Sequence, residues 1–289
     1  MKLEFLGTGG AFAAPRPGCG CRVCVEAREH GPPYARSGPS LFVHGPDLLV
    51  DTPEESREQL NRAGIARVRA CVYSHWHPDH VMGRRVFESL NFPARKWPWP
   101  RPRAHATDVY LPEQVAVDFR HRLGSHEHLA FLQERLGVVH VHALRDGDEI
   151  RLDGVVVRPF RLAEDYVYAF LLEGGGSRVL VVMDELHGWT PPAALGSLDV
   201  AVLPMGICEH DPFTGERRIH PDHPLLRVEA TFADTLEVVG ALDARRVYFA
   251  HIEEPDGLGY DDLLRLEAVL AERDGVAVTF AYDGLVLDV

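Results

Sequence analysis

The sequence predicts an α/β sandwich with mixed sheets, and three observations lead there. Short apolar runs bounded by Gly and Pro recur along the 289 residues, as strands do. Between them stand stretches with apolar residues at i, i+3 and i+4, the spacing of a helix face. The two kinds do not alternate regularly: strand-rich halves are each followed by helices, which indicates mixed rather than purely parallel sheets.

Taken in order, Lys2–Leu6, Ser40–Val43, Leu48–Asp51 and Arg69–Ser74 read as strands. Glu54–Arg62 reads as a helix, with Thr52-Pro53 as its N-cap and first position. Val115–Leu123 and His128–Leu136 have helical spacing. Val138–His142, Val155–Phe160, Tyr166–Glu173, Arg178–Asp184 and Asp199–Leu203 continue the strands, the last stopped by Pro204. Arg227–Leu242 and Asp261–Glu272 are helical, and Asp261-Asp262 suits a helix's positive end. Arg245–Ala250, Ala277–Ala281 and Leu285–Asp288 close the series. The segment 91–103 carries four prolines and two tryptophans, so neither a helix nor an inner strand fits it. It reads as a stiff surface loop, either a substrate-facing wall of aromatics and Arg or a packed loop whose tryptophans cover a helix.

Composition excludes several classes. Acidic residues outnumber basic ones 43 to 30, a net charge of −13, which argues against wrapping nucleic acid. It leaves a metal site open, because bound cations reverse local charge. No run approaches the ~20 apolar residues of a membrane helix. Met1 leads straight into the first strand with no signal-peptide pattern, so a cytoplasmic location is expected. Lys2 and Lys96 are the two lysines, so no phosphate-binding P-loop can form and a Schiff-base lysine is not expected. No G-x-S-x-G elbow occurs.

The sharpest motif is Ser74-His75-Trp76-His77-Pro78-Asp79-His80. It follows an apolar strand, and the carboxyl ends of strands are where open α/β sheets place ligands. Imidazoles suit zinc and its first-row neighbours, and a carboxylate can complete or bridge such a site. A second cluster, Cys19, Cys21 and Cys24 on a Gly/Pro-rich loop at 15–27, suits a closed structural zinc site. With five cysteines in all, a disulfide framework is not expected. Cys71 reads as a small buried hydrophobe, and Cys208 is assigned no role.

The H-x-H-x-D-H run resembles the hallmark of the metallo-β-lactamase fold. Phe5–Ala11 resembles that family's first strand and glycine turn, and Leu48–Thr52 the station whose Asp supports the metal loop. Val181–Asp184 resembles the strand ending in a bridging Asp, and Val247–Ile252 the strand ending in the last His. The resemblance spans nearly the whole chain. It implies a single domain over 1–289, a four-layer αββα sandwich, and metals at one sheet edge. It further implies His75 and His77 on a first metal, Asp79, His80 and His251 on a second, and Asp184 bridging. The family's third His for the first metal falls near Ala163, and Glu164 or Asp165 could supply an oxygen instead. Glu164 is the candidate carried forward. The cations implied are two Zn2+ or Mn2+ ions, with Fe a further option.

The run Pro15–Ala27 resembles the phosphoribosyl cyclic phosphodiesterase branch, PhnP-like. That branch takes its fourth structural-zinc ligand three residues after the last active-site His. Here the position is Glu254, with His30 and His44 as alternatives. For the acid, His223 ranks first, Glu229 second and His220 third. His187 could also reach the cleft, whereas His105, His121, His126, His128, His140, His142 and His210 match no station. The function implied is a metal-dependent hydrolase in which a metal-bound hydroxide, with Asp79 in the catalytic set, attacks a small or cyclic phosphodiester. A lactone or thioester hydrolase of the same fold, a degenerate metal-binding member, and a PqqB-like protein are the rivals. A small-molecule substrate is the expected partner, nucleic acid and membranes are not, and a homodimer stays open.

Overall fold

The computed structural model describes residues 1–93, 98, 106–273 and 275–289. The loop anticipated at 91–103 therefore lies mostly outside the described residues, including Lys96, Trp97 and Trp99. The chain forms strands β1 (Lys2–Gly7), β2 (Ser40–His44), β3 (Leu48–Val50), β4 (Ala70–Val72), β5 (Thr107–Leu111) and β6 (Val139–Ala143). After these come β7 (Ile150–Leu152), β8 (Val155–Arg161), β9 (Tyr168–Gly174), β10 (Ser177–Val181), β11 (Val200–Pro204), β12 (Val247–Ala250), β13 (Thr279–Phe280) and β14 (Val286–Asp288). Helices are α1 (Arg22–His30), α2 (Ser56–Arg62), α3 (Pro78–Val81), α4 (Val86–Asn91), α5 (Glu113–His121), α6 (Ser125–Phe131), α7 (Phe232–Ala241) and α8 (Tyr260–Arg273).

Two seven-stranded sheets result, in the orders β14-β1-β2-β3-β4-β5-β6 and β13-β12-β11-β10-β9-β8-β7. Both are mixed. In the first, β3 to β6 run parallel and β1 pairs antiparallel with β2 and β14. In the second, β10 to β13 are parallel and β7 to β10 antiparallel. Strand β9 shows how the layers stack. Tyr168, Phe170 and Leu172 join the large cluster shared with the first sheet, whereas Ala169 and Leu171 join the cluster that includes α7 and α8. Side chains alternate faces along a strand, so a strand buried on both sides is apolar throughout. Helix α8 supplies Leu263, Leu266 and Leu270 to the outer cluster, at i, i+3 and i+7. The fold is thus two mixed sheets with flanking helices.

Several expected boundaries move. Thr52-Pro53 does not cap α2; the Pro53 carbonyl accepts from Ser56 instead, and Thr52 Oγ1 bonds the Tyr73 hydroxyl at 2.8 Å. The helix expected over Arg227–Leu242 is broken, because Thr231 closes a capping box with Asp234 and starts α7 at Phe232. Strands β5 and β7, and helix α1 within the cysteine-rich segment, were not anticipated. Strand β7 is short and its burial alternates, too little pattern to read from sequence. No helix among the described residues is long and apolar enough to cross a membrane.

The parallel ends matter most. Chain leaving β3 and β4 carries Asp51 and the run Ser74–His80, and chain leaving β10 and β12 carries Asp184 and His251. Both sheets therefore deliver polar residues from strand carboxyl ends to one edge.

Candidate metal centre and cleft

Each arm of the centre is held from below. Asp51 is fully buried and accepts from Ser74 N (2.8 Å) and Ser74 Oγ (2.6 Å), while its Oδ2 lies 2.8 Å from His80 Nδ1. Ser74 Oγ also meets His75 Nδ1 at 3.0 Å. These contacts turn the Nε2 atoms of both histidines towards one space, the usual role of an outer carboxylate behind a metal-binding imidazole. Pro78 opens α3 and places Asp79 and His80 in its single turn. Asp51, Glu185 and His251 all have positive φ (60°, 39° and 51°), a costly conformation for residues with a Cβ. Such strain clusters at functional sites.

The side chains converge tightly. Asp184 Oδ2 lies 3.2 Å from His75 Nε2, 3.7 Å from His80 Nε2 and 4.0 Å from His77 Nδ1. Its Oδ1 lies 3.4 Å from His251 Nε2. Asp79 Oδ2 lies 3.3 Å from His80 Nε2 and 3.6 Å from His251 Nε2. Yet Nε2 of His75, His80 and His251 are buried with no hydrogen-bond partner among the described residues. Buried polar atoms without partners are rare and costly. Three imidazole nitrogens aimed at carboxylate oxygens, close but not hydrogen-bonded, fit a cation between them. Two donor groups meet the spacing of an ion, His75/His80/Asp184 and Asp79/His80/His251.

The electrostatics agree. Burial pushes the Asp184 carboxyl up, but His251, His75 and His80 outweigh it and hold the group well below the usual range. Asp79 behaves alike, with His80 and His251 overcoming burial. Burial opposes charge on His251, but Asp184 and Asp79 push it up to about 9. Burial, with His75 beside it, brings His77 down to about 4. The carboxylates thus demand positive charge in this space, which bound cations would supply in place of protons.

The second cluster also closes. Glu254 Oε1 stands 2.8 Å from Cys21 Sγ, 3.1 Å from Cys24 Sγ and 3.4 Å from Cys19 Sγ. Backbone N–H groups of Arg16 and Cys24 donate to Cys24 and Cys21 sulfurs at 3.2 and 3.4 Å, but burial and then Glu254 push the Cys24 thiol up to about 12 and Glu254 raises that of Cys21, an opposition that a bound cation would relieve. Four donors in this compass fit a tetrahedral ion. The alternatives lie elsewhere: His44 pairs with Glu4 at 2.7 Å, and the His30 ring lies tilted against Tyr34, centroids 5.0 Å apart.

A cleft of about 440 Å³ opens over the centre, lined by His77, Asp79, Asp184 and His251 and also by His220, His223 and Glu229. His223 is exposed, and its Nδ1 accepts from Leu225 N at 3.3 Å. His187 instead lines a neighbouring hollow with Trp189 and Glu237. Glu164 joins neither donor group; its carbonyl accepts from Val167 N at 3.1 Å. Asp165 joins neither group as well.

Three further residues were not singled out in the sequence. Glu185, buried beside Glu229, is pushed up to about 9 by burial, by its hydrogen bond with Glu229 and by Asp184. Glu253 accepts from Ala11 N and Phe12 N, each at 2.9 Å, and fastens the glycine turn to the His251 segment. A Cβ on Gly10 would strike that carboxylate. Arg16 Nε forms an ion pair with Glu254 Oε2 at 2.7 Å. The only sequence signal for Glu185 and Glu253 is adjacency to Asp184 and Glu254.

A family model described as a beta-lactamase superfamily domain matches residues 45–252. The chain belongs to that superfamily. The fold of this superfamily member is similar to a solved diphosphatase of the PhnP family, at TM-score 0.70 and 24% identity, covering 99% of this chain and 96% of that one. It is similar also to zinc-bound PqqB from Methylobacterium extorquens, at TM-score 0.69 and 16% identity over the whole of both chains. Among curated sequences it is 35% identical over 126 residues to an octanoyltransferase of Porphyromonas gingivalis, 43% of this chain and 23% of that protein. It is 23% identical over 166 residues to ribonuclease Z of Archaeoglobus fulgidus, 56% of this chain and 44% of that protein. The superfamily member thus spans less than half the length of either curated relative.

Proposed function

We propose that this superfamily member is a metal-dependent phosphodiesterase acting on a small or cyclic phosphodiester. The observation that carries the reading is Asp184, whose two oxygens face His75 and His80 on one side and His251 on the other. In this reading His75, His77 and Asp184 hold one cation, and Asp79, His80, His251 and Asp184 hold the second. The donor set suits zinc, manganese or iron. Cys19, Cys21, Cys24 and Glu254 hold a structural zinc. When bound, the active-site cations supply a water of lowered pKa and a sink for charge on phosphoryl oxygens.

The chain's own groups do the remainder. Asp51 and Ser74 keep the imidazoles oriented. Glu229 protonates the leaving oxygen, because it is half-buried on the cleft wall and burial, then the charge of Asp184, raises its pKa while Glu185 opposes this. His223, ranked ahead of it from the sequence, lines the same cleft from an exposed position and stands second. Relatives named as a diphosphatase and a ribonuclease favour phosphorus over carbon as the electrophile.

A second reading, with one catalytic cation, is favoured by Ala163, which stands where the resemblance calls for a third His. Among the described residues the donor group around His75 holds only His80 and Asp184, and His77 stands outside it with its Nδ1 4.0 Å from Asp184. Metal analysis of the wild type separates one cation from two. The test of the main reading compares release of nitrophenol from bis(p-nitrophenyl) phosphate with turnover of a lactone and of nitrocefin, at saturating Mn2+ or Zn2+. Diester cleavage lost in Asp184→Ala is expected. Lactone or nitrocefin turnover without diester cleavage would overturn it.

A further inference from the structure

Two exposed large apolar side chains, Phe12 (52% exposed) and Leu225 (42%), line the same cleft as His77, Asp79, Asp184 and His251. Phe12 is not a loose surface ring. Its N–H donates to Glu253 Oε2 at 2.9 Å, and its carbonyl accepts from Glu254 N at 3.0 Å. Arg16 lies 5.7 Å over its ring while also gripping Glu254. Backbone and ring are thus both tied to the segment that carries His251. Leu225 sits on a one-turn 3-10 helix (Pro224–Arg227) capped by His223. Ile207, Ile219 and Pro255 extend the apolar wall.

Single exposed apolar side chains are ordinary, but Phe12, Leu225, Ile207, Ile219 and Pro255 gather along one cleft, and a contiguous apolar wall of this kind marks a binding face. The charged groups point the same way. Among the described residues lining the cleft, the one guanidinium, Arg218, is already engaged by Asp211 and the Asp256 carbonyl, and Glu229, Glu253 and Asp256 are acidic. Such walls do not welcome a second phosphate. Resting on the phosphodiesterase reading and deepening it, we infer that the substrate is a singly charged phosphodiester with a flat apolar or aromatic substituent. The phosphoryl group lies at the metal centre, and the substituent packs between Phe12 and Leu225.

The test reads binding as well as turnover, so that failure of this inference and failure of the phosphodiesterase reading look different. Diphenyl phosphate and dimethyl phosphate carry the same charge and differ only in the substituent. Calorimetric titration of the Mn2+-loaded protein is expected to show diphenyl phosphate binding at least tenfold tighter. That preference is expected to shrink about tenfold in Phe12→Ala and in Leu225→Ala, and to be largely retained in Phe12→Tyr, in line with the contribution of one buried ring. Equal binding of the two anions, or a preference untouched by both alanine variants, overturns the inference even if diesters are cleaved. The expected preference in a protein that cleaves no diester would keep the aromatic site and discard the phosphodiesterase.

Discussion

His251 and Glu254 leave the end of β12 three residues apart and face two different donor clusters: His251 Nε2 lies 3.6 Å from Asp79, and Glu254 Oε1 lies 2.8 Å from Cys21. Between them Glu253 fastens the turn that bears Phe12. One short segment therefore joins the sulfur cluster to the metal centre. Freeing Glu254 is expected to loosen His251, whose φ of 51° must be imposed by its surroundings.

Cys21→Ser is accordingly expected to lose one metal equivalent per chain and to weaken metal retention at His251 as well. Its melting temperature should fall by roughly 5–10 °C, given about 2–4 °C per kcal/mol for chains approaching this size. Elemental analysis and a thermal melt on the same preparation check both halves. A variant with full metal content would break the proposed link.

Asp51→Asn tests the support beneath the centre. The carboxylate accepts from Ser74 N and Oγ and faces His80 Nδ1, all without exposure to water. An amide keeps one acceptor oxygen but presents an N–H either to Ser74 Oγ and His80 Nδ1, which share Oδ2, or to the Ser74 N–H that meets Oδ1. Active-site metal affinity is expected to drop about 10–100-fold, as for other outer-shell partners of metal-binding histidines. Competition with a fluorescent chelator measures it, and the sulfur-bound equivalent should be unaffected.

What the sequence reveals about the site follows from how locally each part is encoded. His75, His77, Asp79 and His80 sit within six residues, so their chemistry is visible without any fold. Asp184 and His251 are single residues at strand ends; they became legible through resemblance to a family, not through spacing. Glu253 could not be found this way, because its role is to accept two N–H groups from a turn some 240 residues earlier. The same limit applies to the fold. Strands β9, β11 and β12 are largely buried apolar runs and read clearly, whereas β7 spans three residues and depends on pairing with β8. Helix α1 hid behind a motif read as a loop, because Cys21 serves both as its N-cap and as a member of the cluster.

Glu229 predicts how activity depends on pH and on leaving group. Its carboxyl is raised by burial, against the pull of Glu185, and by the charge of Asp184. A general acid acts in its protonated form, so its contribution is complete below the raised pKa and fades as pH climbs through it. A diester with an alkyl leaving group needs that proton; p-nitrophenolate leaves without it. Glu229→Gln is expected to lower kcat for an alkyl leaving group by about 10²–10⁴-fold. It should change kcat for a p-nitrophenyl leaving group far less, and should remove the alkaline fall in the alkyl profile. An equal loss on both substrates would assign Glu229 to structure instead.

Glu267 offers a stability test away from the centre. It lies on α8, half-buried, and its Oε1 accepts from Phe280 N at 2.7 Å. Burial raises its pKa, with the Phe280 N–H opposing. A carboxyl whose folded pKa exceeds the unfolded value near 4.3 binds more protons when folded, so stability declines as pH rises through that range. Gln keeps the acceptor for Phe280 and carries no charge. Glu267→Gln should therefore match wild type near pH 4 and exceed it at pH 8, by less than about 1 kcal/mol, because water screens the exposed part of the side chain. Urea unfolding at the two pH values reads the difference directly. A variant less stable at pH 8 would show that the charged form, not the acceptor alone, holds β13 against α8.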